Sequence, residues 1–180
     1  MTPLLANLNA ALPDALNLVL YLAYAIGLFY VADAIFAGIR KSGDPRGVPG
    51  TKPVVALIIG GAMMSVGTIA GAAVVSMTGE SWTVARTLSY FSVTPQANSH
   101  LQNMRAIINV VMVFGYIGVV RGLMLWKAAG DGDKGGHGLD NHVISGAVMI
   151  LFSACGINMP GVLRGVAWLT GLPIPSVLLQ

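Results

Sequence analysis

The chain has 180 residues, of which 55% are hydrophobic and 9% charged, with 23 glycines and a formal charge of +3. A water-soluble domain of this length carries roughly a quarter of its residues as Asp, Glu, Lys and Arg, so the composition excludes an ordinary soluble domain and points to a chain solvated by lipid or by copies of itself. The ten Lys and Arg residues are scattered over short loops without an aromatic-interleaved basic face, which argues against direct sequence-specific nucleic-acid binding.

The opening stretch MTPLLANLNAALPD has no Lys or Arg ahead of the first apolar run. It therefore lacks the charged start of a secretory signal, and the first span is expected to be retained. Four apolar stretches follow, at about 15–39, 53–77, 106–126 and 143–168. Each approaches or exceeds the ~20 residues a helix needs to cross a ~30 Å hydrocarbon core. Helices are expected rather than strands, because open sheet edges in lipid leave backbone groups unpaired. The predicted fold is an all-α membrane protein whose four hydrophobic helices form two tandem helical hairpins. Residues 1–77 make the first hairpin, 78–105 an external connecting segment, and 106–180 the second hairpin with an extended apolar tail, LTGLPIPSVLLQ.

Small residues mark the helix-packing faces. Ala23, Gly27, Ala34 and Gly38 form a ridge on the first span, Gly60, Met64, Gly67 and Gly71 a stripe on the second, and Gly118 and Gly122 a GxxxG on the third. Such spacing permits close helix approach. In the fourth span Pro160 and Arg164 predict a kink or an end near Met159. Between the second and third spans, Trp82, Ala85, Leu88 and Phe91 share a face, which predicts a short interfacial helix at about 81–92 with Trp82 and Tyr90 at headgroup level.

The turns after spans one and three hold Arg40, Lys41, Arg46, Lys52, Lys127 and Lys134, against Arg86, Arg105 and Arg164 on the other side. The positive-inside rule then places both hairpin turns in the cytoplasm and both termini outside. The halves also align with each other. Gly27 falls on Gly115, Val31 on Val119, Gly43-Asp44 on Gly130-Asp131, and GAMM (61–64) on GAVM (146–149). Tandem units with an even number of spans keep the same orientation.

The repeat sets Asp33 over Arg121. Burying either alone at mid-helix costs ~2.5–3.5 kcal/mol on insertion scales, so an intramembrane Asp33–Arg121 ion pair, within a chain or between neighbouring copies, is expected as a packing and register device. No GxSxG, HExxH, Walker loop or CxxC occurs, so no enzyme, catalytic residue, metal or resident cofactor is expected. His137 and His142 sit near Asp131, Asp133 and Asp140 without a standard metal spacing. The single cysteine, Cys155, reads as a small buried hydrophobe.

The stretch GIRKSGDPRGVPGTKPVVALIIGGAMMS resembles small hydrophobic membrane proteins of type IVB secretion and I-type conjugation, the IcmC/DotE and TraQ/TraR-like group. The likeness rests on the basic Gly-containing turn Ile39 to Asp44 and the small-residue patch Gly60 to Ser65. It implies a non-enzymatic subunit of a bacterial inner-membrane secretion or conjugation apparatus, partnered by copies of itself, membrane lipid and other subunits of the machine. Each half also resembles the two-helix plan of type IV secretion pilins, which implies an extracellular filament, bound phospholipid, and basic turns facing headgroups or a lumen. The alternative from another class is a small oligomeric transporter or channel using Asp33 and Arg121.

Overall fold

The structure is a computed structural model describing residues 3–43, 51–92, 99–131 and 139–171. It is all-α, with no strand among the described residues. Two helices are long and apolar enough to cross a membrane alone: α1 (Pro3–Gly43) and α5 (Ser99–Asp131). The 41 residues of α1 extend about 60 Å at 1.5 Å per residue, roughly twice a hydrocarbon core. Helix α5 is the central element, since half of its apolar window is buried against 17% for α1.

The other two apolar stretches are broken. α2 (Thr51–Met64) turns through 87° into α3 (Val66–Thr78), and α6 (Leu139–Ile157) turns through 81° into α7 (Met159–Thr170). The second break falls where Pro160 pointed. Asn158 leaves helical geometry and its side chain accepts from the Gly161 N–H at 3.2 Å, with proline in the first turn of α7, so the chain is set to start a new helix. The first break interrupts the uncharged run expected at 53–77 as a single helix. At the break Ser65 leaves helical geometry, and its hydroxyl donates to the Gly61 carbonyl at 3.0 Å beside the Gly60-Gly61 pair. Back-bonding of this kind, next to glycines, bends helices.

α1 packs along α2, and α5 along α6. Each hairpin closes on a glycine-to-glycine contact. A methyl at Gly27 would lie 2.7 Å from the Gly60 carbonyl oxygen, and one at Gly60 would lie 2.9 Å from that of Gly27; Gly122 and Gly146 oppose each other in the same way at 2.9 Å. The helix axes therefore approach as closely as backbones allow. One registration differs from the sequence alignment. Gly27 faces Gly60 and Met64, while Gly115 faces Ser153 and Ile157. Position 60 thus corresponds to 153, and the bend at Ser65 to the bend at Asn158, rather than GAMM to GAVM. The GAMM/GAVM match reflects local composition; backbone approach and bend position set the spatial repeat.

The two hairpins run the same way round. Asn109 donates to Asn9 at 2.8 Å in the first third of α5 and α1, and Lys127 reaches Asp33 at 3.5 Å in their last third. The two long helices are therefore parallel. The core between them is formed by Leu16, Met63, Met112, Tyr116, Leu123 and Ile157, each under 2% exposed.

The short helix α4 (Val84–Phe91) packs one face on this core through Thr87, Tyr90 and Phe91 and leaves Ala85 and Ser89 exposed. Trp82 and Tyr90 are buried and stack with centroids 5.8 Å apart, so they are not headgroup anchors, and Ala85 faces outward. The packing reason lies on α3: a methyl on Gly71 would meet the Trp82 carbonyl oxygen at 2.5 Å, and one on Gly67 would meet Val84 at 2.6 Å. The GxxxG of the second span thus receives the connecting segment and α4 instead of another long helix. The outer surface keeps large apolar side chains, among them Tyr21, Phe29, Phe36, Phe114, Phe152 and Trp168. That surface suits lipid and not water.

Candidate functional site

Polar groups gather at two levels of the bundle. Near the hairpin ends, α5 carries Lys127 and Asp131 one turn apart, and the ammonium bonds the Asp131 carboxylate at 2.6 Å. A carboxylate at a helix C-terminus opposes the macrodipole, and the lysine four residues earlier offsets this. The same ammonium lies 3.5 Å from Asp33 and 4.8 Å from the centre of the Tyr30 ring, both on α1. Lys127 is 13% exposed and Asp33 62%, so one largely buried cation ties the end of the second hairpin to the first.

A cavity of about 390 Å³ opens beside this contact, with Asp33 and Arg40 of α1, Lys52 and Ala56 of α2, and Asp131 of α5 on its walls. Arg40 and Lys52 have no ion-pair partner among the described residues, so two uncommitted cations face a space large enough for roughly a dozen waters at ~30 Å³ each. A second, apolar groove of about 790 Å³ runs beside the α2–α3 bend, bounded by Tyr21 and Tyr24 of α1 and Val75 of α3.

Farther along the bundle, three contacts fix the bent arms. The Trp82 indole N–H donates to the Thr87 hydroxyl at 3.0 Å, and that hydroxyl shares a 3.0 Å hydrogen bond with Tyr116 of α5. The Asn158 amide donates to the Thr78 hydroxyl at 3.3 Å, joining the bend of the second hairpin to the end of α3. Glu80 receives Arg164 of α7 through both oxygens, at 3.0 and 3.2 Å, and Arg86 at 3.6 Å. Two-pronged Arg–carboxylate geometry fixes orientation as well as distance.

Thr87→Val keeps shape and removes the shared acceptor. The variant is expected to lose about 1–3 kcal/mol in SDS-induced unfolding, because the buried Trp82 N–H is left unpaired. Tyr116→Phe removes one arm of the chain and leaves that N–H satisfied, so about 1 kcal/mol or less is expected.

The sequence-derived residues fall as follows. Within the chain Asp33 pairs with Lys127 and not with Arg121. The buried stripe of α5 runs through Met112, Tyr116, Val119 and Leu123; Arg121 lies on the opposite side, exposed, with no partner among the described residues. Gly27, Gly60, Gly118 and Gly122 sit at helix crossings, Gly118 against Ser153, while Gly67 and Gly71 receive α4 and Trp82. A methyl at Gly38 would meet nothing within 4 Å, so the ridge on α1 ends before it. Lys41 is half-buried; Arg46, Lys134, Asp133 and His137 lie outside the described residues. Cys155 is half-buried on α6. The roles of Lys127, Asn9, Asn109, Thr87 and Glu80 were missed. Their one signal was a polar side chain within an apolar or amphipathic run.

Compared with known protein families, curated proteins and solved structures, the chain matches none of them.

Proposed function

We propose that the chain is a non-enzymatic structural subunit resident in a bacterial inner membrane, part of a type IVB secretion or I-type conjugation apparatus, assembling with copies of itself. The observation that carries this reading is the doubled hairpin. Two parallel units, each clamped by opposed glycines, present an outer surface of large apolar side chains, a plan for packing helices against lipid and against like helices. The described polar contacts join one element to another: Lys127 to Asp33, Thr87 to Tyr116, Glu80 to Arg164. The secretion and conjugation assignment rests on the resemblance of residues 38–65. The hairpin turns are cytoplasmic and the termini outside, from the Lys/Arg distribution, and Arg40 and Lys52 face lipid headgroups there.

The second reading, a filament-forming pilin, is favoured by the long exposed apolar face of α1. Against it stand the near-perpendicular bends of α2–α3 and α6–α7, since straight hairpins pack along a filament more simply than bent ones. Shearing cells, pelleting the released material and probing both pellet and inner membrane separates the two. The resident subunit stays with the inner membrane, and its deletion abolishes transfer while the chain is absent from sheared filaments. Recovery in filaments sinks the resident reading. Unimpaired transfer in the deletion strain sinks the assignment to the apparatus altogether.

A further inference from the structure

The cavity of about 390 Å³ at the basic end of the bundle carries charges of both signs on its walls, Arg40 and Lys52 against Asp33 and Asp131. Its size lies within the ~300–1,000 Å³ range of small-ligand pockets. Helices α1, α2 and α5 all contribute, so both hairpins build it. The cations are unanswered: neither Arg40 nor Lys52 has an ion pair among the described residues. Lys52 is half-buried and stands in the first turn of α2, which holds no acid. A helix N-terminus is itself positive, so this lysine adds to the charge there instead of offsetting it, and an anion answers both. The acids are only half used. Lys127 reaches Asp33 at 3.5 Å and Asp131 at 2.6 Å, each through Oδ2. The Oδ1 atom of each carboxylate takes no hydrogen bond among the described residues, so both can still accept one.

We infer that this cavity binds the headgroup of an aminophospholipid, its phosphodiester on Arg40 and Lys52 and its primary ammonium on the open oxygens of Asp33 and Asp131. The lining charges select a zwitterion. A purely anionic headgroup would leave the two acids facing it, and a purely cationic one the two bases, whereas a phosphate joined to an amine gives each pair its complement. Guanidinium and ammonium groups make charge-assisted bonds to phosphate. A primary ammonium offers three donors to the carboxylates; a quaternary one offers none, so a choline head satisfies only the cations. Position selects a lipid over a soluble ester. The cavity opens at the basic hairpin ends, where pockets between spanning helices meet the headgroups of the cytoplasmic leaflet. Phe36 on its wall is 61% exposed and gives the carbons beyond the phosphate an apolar contact. This rests on the membrane-subunit reading above and names what that subunit holds between its hairpins.

The full chain, purified in detergent and stripped of lipid, is titrated with phosphatidylethanolamine, phosphatidylcholine and phosphatidylglycerol of identical acyl chains, and retained lipid is counted by native mass spectrometry. Phosphatidylethanolamine is expected to bind about tenfold more tightly than either of the others. Lys52→Gln and Arg40→Gln should each weaken it by about tenfold while leaving SDS unfolding of the lipid-free chain unchanged, because neither cation has an ion-pair partner among the described residues. Asp131→Asn should remove the preference over phosphatidylcholine while leaving phosphatidylcholine itself bound as before. Equal retention of the ethanolamine and choline lipids, tighter binding of phosphatidylglycerol, or indifference to Lys52→Gln overturns the site. Soluble glycerophosphoethanolamine binding as tightly as the lipid overturns the lipid as its source. These readouts do not involve transfer, so a deletion strain with normal transfer would sink the apparatus assignment and leave the lipid site standing.

Discussion

Gly60→Leu is expected to prevent the first hairpin from closing, whereas Gly61→Leu next to it is tolerated. A methyl at position 60 would already meet the Val31 side chain at 2.8 Å and the Gly27 carbonyl oxygen at 2.9 Å; one at position 61 would meet nothing within 4 Å. A backbone oxygen cannot swing aside as a flexible side chain does, so α1 and α2 must separate and forfeit the packing along their shared length. Overpacking commonly costs about 1–3 kcal/mol, and a clash against backbone at a helix crossing belongs at or above the upper end. The neighbour bounds the result from the other side. Gly61→Leu replaces the poorer helix former, for a gain of up to about 1 kcal/mol in a helix interior. Membrane-fraction abundance and SDS-unfolding midpoints of the two variants are expected to diverge in opposite directions. Equal behaviour would mean that α1 and α2 do not cross at Gly27 and Gly60.

Lys127→Met is expected to cost more than Asp33→Asn, although both break the same ion pair. Lys127 is 13% exposed and serves two carboxylates; its removal takes from Asp33 and Asp131 the one cation that bonds them both. A buried pair that loses one partner costs about 3–5 kcal/mol. The 62% and 34% exposure of the two acids discounts this to roughly 2 kcal/mol. Asp33→Asn leaves Lys127 bonded to Asp131 at 2.6 Å and should cost under about 1 kcal/mol. The exchange Asp33→Lys with Lys127→Asp should recover part of the loss within a chain. Exchanging Asp33 with Arg121 should not recover single-chain stability, since Arg121 points away from α1.

How much of this was legible in the sequence follows from what each signal depends on. The apolar runs fix helices wherever the solvent is lipid, so the all-α class, the helical spans at 15–39 and 106–126 and the short helix within 81–92 could be read directly, but not the extension of the two spans to Pro3–Gly43 and Ser99–Asp131, whose added turns are more polar. The bend at Asn158 was readable because Asn, Pro160 and Gly161 form a helix start written in residue types. The bend at Ser65 was not, because one serine back-bonding beside two glycines looks like any other small-residue patch. The burial of Trp82 and Tyr90 was hidden for a different reason. An amphipathic aromatic segment has the same pattern whether its apolar face meets lipid or protein, and only the space left by Gly67 and Gly71 decides.

The charged site was half legible. Asp33 stood out as an acid in an apolar run, but its partner depended on how α5 is rotated about its axis. That rotation is set by the stripe through Met112, Tyr116, Val119 and Leu123. Lys127 looked like one more cation at a turn. Its contact with Asp33 of α1 makes it a bridge between hairpins.

The claim on which the whole account turns is that both hairpins stand the same way round in the membrane, with their basic turns on one side. It is tested most directly with single cysteines at Ser42 and at Lys134 in the Cys155→Ser chain, labelled by a membrane-impermeant thiol reagent on right-side-out and inverted vesicles. Both cysteines are predicted to react in inverted vesicles and to stay protected in right-side-out ones. Labelling of the two from opposite faces would contradict the parallel hairpins.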